Sequence, residues 1–141
     1  MSKKAGLQFV DFVVYRTVIA RGAKEAITPF DFNIIPSGLI DSKKKVFQLA
    51  LDFNLSDKDD QLLIQVESVG IFTYVGNLED IKPFLLLNAP AIMFPFLRSY
   101  ISGVTALSGL DTITIPTLNL SHLKVELEQN ISTITEEKKL H

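Results

Sequence analysis

Residues 46–55 read Val-Phe-Gln-Leu-Ala-Leu-Asp-Phe-Asn-Leu. Phe47, Leu49, Leu51, Phe53 and Leu55 alternate with Gln48, Ala50, Asp52 and Asn54. Apolar residues at every second position turn one face of an extended strand to a core, whereas a helix would repeat at about 3.6. Residues 56–60, Ser-Asp-Lys-Asp-Asp, then form a solvated polar turn. Residues 62–75 return as a long strand, in which Gly70 marks a bulge or a close backbone approach. Connections this short join antiparallel strands, because a parallel crossover needs about a dozen residues or more.

Upstream, residues 7–20 are rich in Val, Phe, Tyr and Ile, which suit a pleated surface. Both alternating faces are mainly apolar, so both are expected to be covered for part of their length. Residues 21–28 contain Gly22 and read as a connection. Phe30, Phe32 and Ile34 alternate with Asp31 and Asn33 in a second strand, expected to end at Pro36-Ser37-Gly38. Lys43-Lys44-Lys45 reads as a solvated turn.

Downstream the period changes. Asn77 can cap a short helical turn, with Glu79 and Asp80 near its positive end. Pro90 and Pro95 delimit the start of a longer helix, expected at about 90–108 and stopped by Gly109. Met93, Leu97, Tyr100, Val104 and Leu107 form a 4-3-4-3 seam, which requires a packed partner. After a loop containing Pro116, Ser121 can cap a second helix over about 121–136, with Leu123, Leu127, Ile131 and Ile134 on one stripe. Strands over 7–75 followed by helices predict one α+β domain across residues 1–141, with a four-stranded antiparallel sheet and two helices.

The 141 residues are 47 % hydrophobic and 21 % charged, with net charge −2. Mean hydropathy is +0.25. This balance excludes a disordered charged tail and gives no basic surface for nucleic acid. Ten Phe and three Tyr occur without Trp. Phe has no polar handle, so each ring must be buried, shared with another copy or offered to a ligand. There is no Cys and hence no disulfide or thiolate site. The apolar stretch 84–97 is interrupted by Asn88, Pro90 and Pro95 and is too short to span a bilayer, so a cytoplasmic protein without membrane insertion is expected. His122 has no second His near it and reads as a surface residue at a helix start. Asp57, Asp59 and Asp60 lack the Gly and trailing Glu of a calcium loop. No catalytic constellation, metal site or cofactor loop is present, which argues against an enzyme.

Three ordered pieces are more specific: Gly70-Ile71-Phe72 with Gly76, the segment from Pro90 to Arg98 containing Met93-Phe94-Pro95-Phe96, and Pro116-Thr117-Leu118-Asn119-Leu120. In order and spacing this resembles the SecB family of protein-export chaperones. The resemblance implies a dimer of dimers, a homotetramer that holds unfolded or precursor polypeptides without ATP. It implies a subunit interface at Ile64, Val66, Ser68, Met93, Leu97, Tyr100, Ile101 and Val104. Clients would bind in grooves lined by candidates among Phe30, Phe32, Phe47, Phe53, Phe72, Tyr74, Leu87, Leu118, Leu120, Leu123 and Leu127. Docking of a SecA-type motor would fall on Leu63, Gln65 and Glu67. Gln65 stands where a carboxylate is expected, and Arg16 and Arg21 bring positive charge to the first strand. Two alternatives remain open: a SecB-like chaperone dedicated to one partner such as an antitoxin, and an oligomeric scaffold without clients.

Overall fold

The computed structural model describes residues 6–26, 29–116 and 120–134. The elements are β1 (Gly6–Arg21), β2 (Asp31–Asp41), β3 (Val46–Ser56), β4 (Leu62–Val75), α1 (Leu78–Leu107), α2 (Leu120–Gln129) and β5 (Ile131–Ile134). The architecture is α+β, but the sheet has five strands rather than four, in the order β1-β4-β3-β2-β5. The first four strands pair antiparallel. The short β5 pairs parallel with β2, over Gly38–Asp41.

The period-two pattern of β3 and β4 is realised directly. Phe47, Leu49, Leu51, Phe53, Ile64, Val66 and Phe72 are essentially inaccessible on the inner face. Strand β1 obeys a different rule, because its register shifts between Phe9 and Asp11 and again between Val14 and Arg16. Each bulge resets the alternation by one residue. Leu7, Phe9, Phe12, Val14 and Ile19 consequently all pack on the core, although they do not share one parity. The skipped Val10 and Tyr15 are exposed. Strand β2 does not stop at Pro36 but runs on to Asp41, because every residue from Asp31 has a partner on β3. The β3–β4 turn is not simply solvated. The buried Asp57 carboxylate accepts from the backbone N–H groups of Gln61 (2.6 Å) and Leu62 (3.0 Å).

Helix α1 corrects the sequence reading most. Asn77 Oδ1 accepts from the Asp80 N–H at 3.0 Å, and this cap opens a single 30-residue helix. Pro83, Pro90 and Pro95 all lie inside it. Each removes a backbone hydrogen bond, yet the apolar face begins earlier, at Ile81 and Leu85, and its burial prevails. The expected 4-3-4-3 seam is also replaced. Ile81, Leu85, Ala89, Met93, Leu97, Ile101 and Thr105 are buried at every fourth position, while Leu107 is 90 % exposed. A step of four residues advances about 40° around a helix, so the buried stripe winds. It faces α2, β1 and β4, and its end meets the 110–116 loop, where Thr105 Oγ1 accepts from the Ile113 N–H at 3.0 Å. Among the described residues α1 alone is long and apolar enough to cross a bilayer. Here it is a core helix of the sheet.

Helix α2 ends at Gln129, and Ser121 lies inside its first turn. Leu123 and Leu127 are buried, but Ile131 and Ile134 leave the expected helical stripe for β5. Gly109, at φ +79°, follows α1 in the left-handed region that glycine tolerates.

Across the outer face of the sheet, Arg16 lies beside Glu67 and Glu67 beside Asp52. Arg16 Nη1 and Glu67 Oε2 are 3.3 Å apart, an exposed ion pair worth about 0–1 kcal/mol. Partial burial, then the Glu67 charge, raises the pKa of Asp52 above its ordinary value of 3.8.

Two consequences are measurable. A Cβ at Gly70 would lie 2.8 Å from Met93 Sδ and 3.1 Å from Phe72 Cε1, both on fully enclosed side chains. Gly70→Ala is therefore expected to lower stability in urea unfolding by about 1–3 kcal/mol. Asp52 binds its proton more readily folded than unfolded, so its contribution to stability is fully present below pH 3.8 and is lost as pH rises through the raised value. Asp52→Asn is expected to melt higher than the parent at neutral pH, and the two melting temperatures should converge in acid.

Candidate binding site

At one end of the sheet the β1–β2 connection, the β3–β4 turn and the segment after α1 enclose a cleft of about 540 Å³. Its apolar lining comes from Ala26, Phe30, Leu62, Leu110 and Ile113. Arg21, Lys24, Glu25 and Asp111 supply charges of both signs. Gln61 holds the first two walls together. Its carbonyl accepts from the Gly22 N–H at 2.8 Å, and its Oε1 accepts from the Lys24 N–H at 3.0 Å. The third wall is clipped to α1, because Ser102 Oγ donates to the Ile113 carbonyl at 3.2 Å and the Leu110 N–H donates to the Thr105 carbonyl at 3.2 Å. Gln61, Thr112 and Thr114 also line it, so an apolar floor is ringed by polar groups that can meet both the side chains and the backbone of a polypeptide segment.

The proposed groove residues separate into three sets. Phe30 and Phe32 are half-buried and Leu87 is half-exposed, so all three retain surface. The Phe32 ring lies 6.0 Å from that of Phe53. Phe47, Phe53, Phe72, Tyr74, Leu123 and Leu127 are sealed in the core and offer nothing to a client in this conformation. They occupy the strictly alternating inner face or the sheet side of α2, where helices cover them. Leu118 and the Leu120 side chain lie outside the described residues. Among the described residues the Tyr74 hydroxyl has no hydrogen-bond partner, and burial followed by the Asp41 charge pushes its pKa up.

The proposed subunit contacts need the same correction. Ile64, Val66, Ser68, Met93, Leu97 and Ile101 are 0–1 % exposed within one chain. They have no surface to give a neighbour, and a charge at Val66 would strike the core. Tyr100 and Val104 keep part of their surface, although the Tyr100 hydroxyl is committed to Thr17 Oγ1 at 2.6 Å. Leu63, Gln65 and Glu67 do lie on the outer face, where Glu67 is paired with Arg16.

Several open apolar side chains were not among the expected site residues: Phe84, Phe96 and Leu107 on α1, and Leu110 and Ile113 beyond it. Phe96 is 47 % exposed although its ring stacks 4.7 Å from that of Phe9. The usable signal was the pair of apolar residues set among Asp111, Thr112 and Thr114, which marks a packed loop. Gly103 stands in open space. His122 is exposed, 3.3 Å from Glu126. Among the described residues no group of three His, Asp or Glu is placed to hold a metal.

This geometry has counterparts in known proteins. The family model described as "Preprotein translocase subunit SecB" matches residues 30–130. The protein-export protein SecB of Ruegeria pomeroyi is 32 % identical over 127 residues, which cover 82 % of this chain and 72 % of that protein. The protein-export protein SecB of Roseobacter denitrificans is 34 % identical over 128 residues, with the same coverages of 82 % and 72 %. Among solved structures, the SecB-like chaperone Rv1957 of Mycobacterium tuberculosis, in complex with a ChAD peptide from the HigA1 antitoxin, superposes with a TM-score of 0.67 at 19 % identity. That likeness covers 80 % of this chain and 88 % of the other, and it is one of fold. Five strands and two helices in this order, with a family match across most of them, lead to one conclusion: the chain belongs to the SecB family.

Proposed function

We propose that the protein is an ATP-independent holding chaperone that keeps non-native precursor polypeptides competent for export, working in the cytoplasm and without catalysis. The observation that carries this reading is the large apolar surface left open on a chain of this family. The part of it left to a client is the cleft at Phe30, while Phe84, Leu87, Phe96 and Leu107 along α1 serve contact between copies. Ordering each client residue costs about 1–2 kcal/mol of backbone entropy. A large apolar side chain returns about 1.5–3 kcal/mol when fully buried. One pocket gains little, so several must act on one chain. Repetition on linked subunits multiplies affinity without new kinds of contact.

The open face of α1 is the better candidate for contact between copies. From Pro83 to Leu107 its only charge is Arg98. Gly103 lies inside the helix with no neighbour within 4 Å, although a helical glycine costs about 1 kcal/mol relative to Ala. A second helix approaching closely there would account for it. The assembly we propose is a homotetramer built on this face, with Tyr100 and Val104 at its margin.

Two observations favour a second reading, a chaperone dedicated to a single partner such as an antitoxin. The solved SecB-like neighbour carries an antitoxin peptide. The Arg16–Glu67 pair also removes negative charge from the outer face, which weakens attraction for a cationic motor segment.

Three measurements test these readings. The intact protein should suppress aggregation of a chemically unfolded test protein without nucleotide, and failure to do so would remove the holding function. Phe30→Ser should weaken that suppression at a smaller loss of stability than Phe72→Ala, which should cost about 3–5 kcal/mol. Gly103→Gln should lower the mass seen by light scattering without lowering the stability of the monomer. An unchanged mass would place the subunit contact elsewhere.

A further inference from the structure

Strand β2 carries a gap in its pairing. On one side β3 pairs with it from Asp31 to Asp41. On the other side β5 covers only Gly38–Asp41. Three contacts establish which backbone groups face that second edge. The Gly38 N–H donates to the Asn130 carbonyl at 3.1 Å, and the Ser42 N–H donates to the Ile134 carbonyl at 3.0 Å. The Pro36 carbonyl accepts from Asn130 Nδ2 at 3.2 Å. Residues two apart in a strand aim their N–H and C=O groups the same way. Phe32 and Ile34 therefore present theirs outward, while Asn33 and Ile35 turn theirs to β3. Pro36 has no N–H to leave unpaired, and Asn130 satisfies its carbonyl. Among the described residues, pairing along this edge ends there.

Among the described residues nothing meets the edge groups of Phe32 and Ile34. Open edges of this kind template another strand. The opposite edge of the sheet differs, because β1 is broken by two bulges, while β2 keeps an unshifted register with β3. At its start the gap opens onto the cleft, since Phe30 lines the cleft and Asp31 begins the strand. At its other end β5 lies in the same sheet. A second rigid sheet would collide with β5, whereas a flexible chain can pair along the gap and turn into the cleft.

We propose that the edge of β2 at Phe32 and Ile34 takes an extended client segment as an added β-strand. The client's main chain is then held at the edge, and its apolar side chains enter the cleft beyond Phe30. The inference rests on the holding function proposed above and specifies how a client is recognised. Every polypeptide carries the same backbone groups, so pairing of this kind admits many sequences. Selectivity comes from apolar side chains at alternate client positions.

The probe is a synthetic peptide with Tyr and Val at alternate positions and Lys between them. It is compared with two versions N-methylated on alternate residues, one of each parity. Methylation of the parity that faces the edge should weaken binding about tenfold through lost hydrogen bonds, and methylation of the other parity should not. Binding of the unmodified peptide to the full chain should also slow amide exchange at Phe32 and Ile34. Equal binding by all three peptides, or binding with unchanged exchange at both residues, would overturn the edge while leaving the holding function standing. Protection of these amides before any peptide is added would mean that a second copy or the chain itself occupies the edge, and would overturn it too. If neither the unmodified peptide nor an unfolded test protein binds, the holding function itself fails.

Discussion

The structure depends on covering the inner face of β3 and β4. Their alternation places a continuous row of Phe, Leu, Ile and Val on one side, and that row has to be kept from water. Two helices do this in division. Helix α1 crosses the β1–β4 half and α2 lies against β2. The close approach of Met93 to Gly70 shows how tightly α1 is seated, since no side chain fits beneath it. Three prolines inside α1 are tolerated because the helix is held by this contact along its length rather than by its own hydrogen bonds.

The same division explains where apolar surface remains. The described residues supply two helices with which to cover a five-stranded sheet. The sheet side of α1 is sealed, but its far side keeps Phe84, Leu87, Phe96 and Leu107 in the open. Where strand connections and the segment after α1 converge, they leave a cleft instead of closing over Phe30. The side chains available for function on this scaffold are therefore those that pack only partly against the core, such as Phe30 and Leu110, and not the fully enclosed ones.

Irregularities in the sheet have physical roles. The β1 bulges return Phe12 and Val14 to the inner face after the first break in phase and Ile19 after the second. They also leave Tyr15 outside and place Arg16 against Glu67. At the other edge, Asn130 joins the end of α2 to β2 through its carbonyl and its side chain. Among the described residues β5 covers only Gly38–Asp41 on the outer edge of β2.

The sequence by itself determined the α+β order, the inner faces of β3 and β4, the Asn77 cap and the family resemblance, because each is written in neighbouring residues. The period of 46–55 has no reading other than a half-buried strand, and Gly70 announced a close approach before its partner was visible. Only the tertiary structure decided that α1 runs through Pro90 and Pro95, that its buried stripe repeats every fourth residue, that Ile131–Ile134 forms a fifth strand, and which phenylalanines remain open. These outcomes depend on what lies opposite each residue. Phe30 and Phe72 look alike in sequence, yet one borders a cleft and the other is enclosed beneath α1 and β1. A side chain states its need for burial locally, but whether that need is met depends on segments distant in the chain.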